Sequence, residues 1–139
     1  MEINNLLLLG IWILFLGLKG VAEACILERE ANVYIVRSIT SNNLALTFHC
    51  FSGDDDIGMH ILHGNQSYHW SFCPNVLPTT KWMCRLSWGL NLEAQFVSYQ
   101  QNFPSYYNLN IWIAKDDGVY LSHAYSFVDI KKMYDWNKI

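Results

Sequence analysis

His49-Cys50, the triplet Asp54-Asp55-Asp56, and the histidines His60, His63 and His69 hold most of the side chains in this chain that could do chemistry. A histidine beside a cysteine can activate the thiol as a nucleophile, carboxylates can hold calcium, and imidazoles can hold zinc. The spacing argues against each. Contiguous aspartates in an extended segment point to alternate sides, whereas calcium loops place ligands at every second position. The triplet is better read as an Asx-rich turn that stops one strand and starts the next. His60 and His63 fall on opposite faces of a strand, which suits a shared metal poorly. If Cys50 is bridged, its thiol is lost to catalysis. There is no G-x-S-x-G elbow, phosphate loop or H-E-x-x-H. Neither a catalytic set nor a cofactor or metal site is expected.

The elements that carry these residues follow from period-two alternation, which dominates from residue 32 onward without long helical periodicity. Strands are expected over Asn32 to Arg37, Leu44 to Cys50, Gly58 to His63, Tyr68 to Phe72, Lys81 to Trp88, Glu93 to Tyr99, Leu109 to Lys115 and Val119 to His123. Turn residues separate them: Gly64-Asn65, Pro74 to Pro78, Pro104-Ser105 and Asp117-Gly118, the last a strong hairpin signal because Gly tolerates positive φ. Some eight short strands at this spacing predict an all-β, antiparallel β-sandwich. Leu44, Leu46, Phe48 and Cys50 share one side of their strand, as do Trp82, Cys84, Leu86 and Trp88 of theirs, so Cys50 and Cys84 can meet in the core. Tyr68, Trp70 and Phe72 share a face, which puts Cys73 on the other side with His69 and Ser71.

Upstream, Leu6 to Leu18 is an apolar run long enough for a signal-peptide core but short of the roughly 18 to 20 residues that span a bilayer. Ala22-Glu23-Ala24 supplies a small-x-small cleavage site, so residues 1–24 are expected to be removed and a single domain, 25–139, secreted. The start lacks the usual Lys or Arg, and a retained anchor is the competing reading. The mature segment has 8 Lys and Arg against 10 Asp and Glu, a net charge of about −2 that gives nucleic acid no basic surface to bind. Four cysteines in a short secreted chain point to disulfides. Asn65-Gln66-Ser67 is a glycosylation sequon in an expected turn, and Tyr106-Tyr107 are candidate anchors for a partner.

Taken in order, the motifs carry a resemblance. His49-Cys50, Asp54-Asp55-Asp56-Ile57-Gly58, Tyr68-His69-Trp70-Ser71-Phe72, Trp82-Met83-Cys84 running to Trp88, Trp112 with Asp117-Gly118, and Tyr134-Asp135-Trp136 together resemble the plant self-incompatibility S-protein homologue family. The resemblance implies a β-sandwich and a disulfide between Cys50 and Cys84, the pair that strand phase also selects. Closing a loop of about 35 residues stabilises a fold by roughly 3 to 4 kcal/mol on the chain-entropy model. The chain departs from the family pattern at Asn110, where a cysteine usually precedes the tryptophan, and at Val119, where its partner often lies. Cys25 and Cys73 stand at positions the family does not normally use. They pair with each other, pair between chains or stay free, and the first is favoured because secreted proteins rarely keep unpaired thiols.

For function, the resemblance implies a secreted, non-enzymatic ligand of a cell-surface partner, the best-known relatives being pistil proteins that trigger rejection of self pollen. Loops on such a scaffold carry recognition. Those at Ser38 to Asn43, Ser52 to Asp56, Gly64 to Ser67 and Asn102 to Asn108 are the candidates. A carbohydrate-binding sandwich of the cell wall is the alternative, since exposed Trp or Tyr could stack on sugars.

Overall fold

The computed structural model describes residues 25, 29–41, 43–75, 77, 79–101 and 107–139; the expected signal segment 1–24 lies outside them. Alternating side chains form the strands β1 (Ala31–Ser38), β2 (Leu46–Ser52), β3 (Asp56–Leu62), β4 (Ser67–Phe72), β5 (Lys81–Trp88), β6 (Leu92–Gln100), β7 (Leu109–Lys115) and β8 (Gly118–Ser122). Two short strands follow, β9 (Lys131–Tyr134) and β10 (Asn137–Lys138). The first sheet runs β4-β1-β7-β8-β9 and the second β10-β6-β5-β2-β3. All eight expected strands are present, with bounds moved by a few residues. All pairs are antiparallel except β1 with β7, which is parallel. The long chain between those two strands crosses to the second sheet and back twice, through β2–β3 and then β5–β6, which leaves room for the parallel return.

The core forms where the two inner faces meet. Val33 and Ile35 of β1, Leu46, Phe48 and Cys50 of β2, Cys84 and Leu86 of β5, Phe96 of β6 and Trp112 of β7 are all buried there. Cys50 and Cys84 are register partners on β2 and β5, joined by a disulfide across a Cα separation of 4.1 Å. A second disulfide joins Cys25 to Cys73 just beyond β4, with Cα atoms 5.3 Å apart. Nothing in the register bridges positions 110 and 119. Val119 lies opposite Ala114 on the β7–β8 hairpin, four residues from Asn110, or about 14 Å at a strand rise of roughly 3.4 Å. The expectation that these two positions mark one lost bridge is therefore corrected: a disulfide reaches only about 7 Å between Cα atoms.

One core position is polar. Arg37 continues the inward phase of Val33 and Ile35 and is only 1% exposed. Its guanidinium donates to the carbonyls of Ile39 at 3.0 Å, Leu44 at 2.6 Å and Gly64 at 2.9 Å, and to that of Ser41. The cation thus fixes Ile39, Ser41 and Leu44 against the β3–β4 turn through carbonyl dipoles. Thr40 is held by Asp116, whose carboxylate accepts the Thr40 amide at 2.7 Å and the Thr40 hydroxyl.

Candidate functional site

The acidic turn joins β2 to β3. Ser52 Oγ accepts from the amides of Asp54 at 3.3 Å and Asp55 at 3.0 Å, and the Ser52 amide donates to the Asp55 carbonyl at 2.7 Å. These bonds close a tight turn of the kind expected. The three aspartates then divide. Asp56 opens β3, and its Oδ1 accepts the Gly58 amide at 2.7 Å and faces His49 Nε2 at 2.7 Å. The Gly58 amide first, and His49 second, hold its carboxyl below the ordinary 3.8. Gly58 has φ +78°, a conformation that costs a glycine nothing and most side chains a great deal. Asp54 and Asp55 keep exposed carboxylates without a partner among the described residues. Sequence reasoning treated the triplet as one unit, and missed that His49 belongs to Asp56 across the hairpin and not to Cys50 beside it.

Beneath this turn a cleft of about 630 Å³ opens at one end of the sandwich. One wall is the 52–55 turn, and the other is formed by Cys73, Asn75, Thr79, Thr80 and Lys81. That second wall is braced by buried Gln101, which donates Nε2 to the Asn75 carbonyl at 2.7 Å and accepts the Thr80 amide at 3.2 Å. Phe51 and Phe72 line it, both partly buried. The Phe72 ring is held by Trp82 at 5.3 Å and Tyr99 at 4.9 Å between centroids. Cys73 also lines the cleft, so the disulfide to Cys25 ties the start of the domain to its rim.

The histidines are scattered. His60 packs between Phe48 and Tyr68, its Nε2 donating to the Ile57 carbonyl at 2.7 Å. His63 is exposed at the end of β3, and His69 lies on the outer face of the first sheet. Among the described residues no three His, Cys, Asp or Glu side chains gather as a metal site.

A second surface lies on the outer face of the first sheet. Tyr34 of β1 stacks on His69 of β4 at 4.8 Å and meets Tyr125 edge-on at 5.7 Å. The Tyr34 and Tyr125 hydroxyls are 3.4 Å apart, and that bond, with partial burial, raises the Tyr34 phenol above its ordinary 10.0. Tyr125 opens an apolar stretch in the β8–β9 connection: Tyr125 is 61% exposed, Phe127 46% and Val128 61%. Phe127 and Asp129 both adopt positive φ, at 54° and 63°. Such conformations are uncommon outside glycine and persist only where the surroundings impose them. Beside this stretch Tyr107 stacks on His123 at 3.7 Å, and His123 Nδ1 bonds the Leu109 carbonyl at 3.0 Å. Tyr106 and most of the expected 102–108 loop lie outside the described residues. Sequence reading passed over the 124–130 segment; neighbouring apolar residues in a stretch without strand alternation were the available signal.

The remaining motif residues build the scaffold. Tyr68, Trp70 and Phe72 face inward from β4, with Trp70 5.5 Å from Trp82. Trp112 donates Nε1 to the Ser98 carbonyl at 2.9 Å, and Asn110 donates Nδ2 to the same oxygen at 2.9 Å. Trp88 meets Trp136 edge-on at 6.0 Å. Gly118 abuts the Tyr134 carbonyl so closely that an added Cβ would sit 2.3 Å from that oxygen. Asn65 is exposed in the four-residue turn, His63 to Gln66, between β3 and β4.

Two five-stranded sheets cross-linked by two disulfides make this a small disulfide-braced β-sandwich protein. The chain belongs to the plant self-incompatibility protein S1 family, whose pattern matches residues 32–136. Among curated relatives it is similar to S-protein homolog 9 of Arabidopsis thaliana, 31% identical over 121 residues, covering 84% of this chain and 90% of the relative. It is also similar to S-protein homolog 11 of the same plant, 33% identical over 118 residues and covering 80% of each. A solved structure described as one of the self-incompatibility protein homologues, "a widespread family of small, highly stable, secreted proteins from plants", shares the fold with a TM-score of 0.64. It is 17% identical and covers 78% of this chain and 96% of its own. The protein is accordingly a secreted, extracellular member of this family. Among the described residues no helix is long and apolar enough to cross a membrane.

Proposed function

We propose that the protein is an extracellular ligand that docks on a protein at the plant cell surface through the Tyr125 to Val128 stretch and the Tyr34–His69 pair beneath it. The carrying observation is the exposure of Tyr125, Phe127 and Val128 in a connection where Phe127 and Asp129 adopt positive φ. Adjacent apolar side chains left in water on a rigid support are the usual mark of an interface, and tyrosine is prominent among residues that anchor one. The family name supports rejection of self pollen as the setting, and pistil-limited expression is the observation to seek. Cleavage before Cys25 and glycosylation at Asn65 belong to the same proposal. The Cys25–Cys73 bridge suits an oxidising secretory route, and the sequon sits in an exposed turn. The test is saturable binding of the purified protein to protoplasts stripped of wall. Binding lost after mild protease treatment of the cells supports a protein partner, and binding confined to isolated wall material overturns it.

A further inference from the structure

The cleft under the acidic turn is a second surface, and it stands apart from the aromatic stretch. Its volume of about 630 Å³ falls within the roughly 300 to 1,000 Å³ of small-ligand sites. We infer that it binds a neutral sugar residue of a glycan.

The lining argues by elimination. Asp54 and Asp55 offer ionised oxygens that only accept hydrogen bonds, and Lys81 on the facing wall offers an ammonium that only donates. None of the three has a charged or hydrogen-bonding side-chain partner among the described residues, so all are available to a ligand. An anion would meet the two carboxylates and a cation the ammonium. A polyol avoids both conflicts, because each hydroxyl can donate to a carboxylate and accept from an ammonium. The partly buried side chains of Phe51 and Phe72 give the C–H face of a sugar an apolar surface to lie on.

The site is also built before any ligand arrives. Ser52 closes the turn that presents Asp54 and Asp55, Gln101 pins the opposite wall through Asn75 and Thr80, and Trp82 and Tyr99 hold the Phe72 ring. Walls fixed in this way lose little conformational entropy on binding, which favours a weakly held, hydroxyl-rich ligand.

Two sources could supply such a residue: wall polysaccharide, or the glycan of a cell-surface glycoprotein. The experiment titrates the secreted protein by calorimetry with xyloglucan and mannan oligosaccharides, with released high-mannose N-glycans, and with acidic oligogalacturonides. Binding of a neutral glycan is expected, with amide NMR shifts confined to residues near Asp54, Asp55, Thr80 and Lys81. The double variant Asp54→Asn/Asp55→Asn and, separately, Lys81→Ala should each weaken it about tenfold or more with an unchanged melting temperature. Preference for wall oligosaccharides or for N-glycans assigns the source. Absence of binding to every neutral probe, shifts elsewhere on the domain, wild-type affinity in both variants, or preference for oligogalacturonides would overturn the inference. Protease-sensitive binding to protoplasts that survives these outcomes would leave the protein-docking proposal standing.

Discussion

Arg37 Nη1 lies 2.9 Å from the Gly64 carbonyl, so a fully buried cation ties the loop after β1 to the turn that carries Asn65. Carbonyls of Ile39, Ser41 and Leu44 complete its shell. Hydrogen bonds to a charged group are worth more than neutral ones, and removing the cation leaves several buried acceptors unpaired. Arg37→Met should therefore cost about 3 kcal/mol or more in urea unfolding, despite its similar length and greater hydrophobicity. Arg37→Lys should recover only part of this, because an ammonium cannot span the same fork of acceptors. Wild-type stability in Arg37→Met would show that the carbonyl cage is incidental.

Cys84→Ala should lower stability by roughly 3 to 4 kcal/mol, the loop-closure value for a sequence separation of 34. In a domain of ordinary marginal stability this should cut the secreted yield sharply. Non-reducing peptide maps of the wild type should recover Cys50 with Cys84 and Cys25 with Cys73. Secretion of Cys84→Ala at wild-type level with an unchanged melting temperature would contradict this account.

These pairings show what was legible in advance. Strand alternation is a local property, so the eight principal strands and the inward phase of Cys50 and Cys84 could be read directly. The parallel pairing of β1 with β7 could not, because nothing local marks which distant strands meet. β9 escaped notice because Lys131, Lys132 and Met133 are all exposed and show no alternation. Arg37 was legible in principle: it sits two residues beyond Ile35 and four beyond Val33, and only the expectation that a charge faces water hid it. The division of Asp54 and Asp55 from Asp56 depends on His49 and Gly58 reaching one carboxylate, a matter of geometry across the hairpin.

Gly118→Ala should destabilise by roughly 2 to 3 kcal/mol, since the new methyl would meet the Tyr134 carbonyl oxygen at 2.3 Å and Lys132 Cε at 2.7 Å. The lysine can move, but the backbone carbonyl moves only with β9. Hydrogen exchange should rise first in β8 and β9. A change within about 0.5 kcal/mol would show that this edge of the sheet yields freely.

Acid should weaken the fold in a defined window. Asp56, Asp116 and Asp117 are held below the ordinary 3.8, chiefly by the Gly58 amide, the Thr40 hydroxyl and the Tyr120 hydroxyl respectively. A depressed folded pKa contributes stability that is present above 3.8 and lost as pH falls through the lower folded value. The melting temperature should thus hold steady from neutrality to about pH 5 and fall below 3.8. Asp116→Asn should make that acid fall shallower. A steeper fall in the variant, or a wild type indifferent to acid, would reverse the assignment.

The most direct test of the central claim is the affinity of Tyr125→Ala/Val128→Ser for wall-stripped plant cells, measured beside the wild type at equal concentration. Both side chains are exposed, so the variant should fold with a melting temperature close to that of the wild type. Loss of two interface anchors should weaken binding about tenfold or more. Undiminished binding by the folded variant would contradict the proposal that this stretch is where the protein meets its partner.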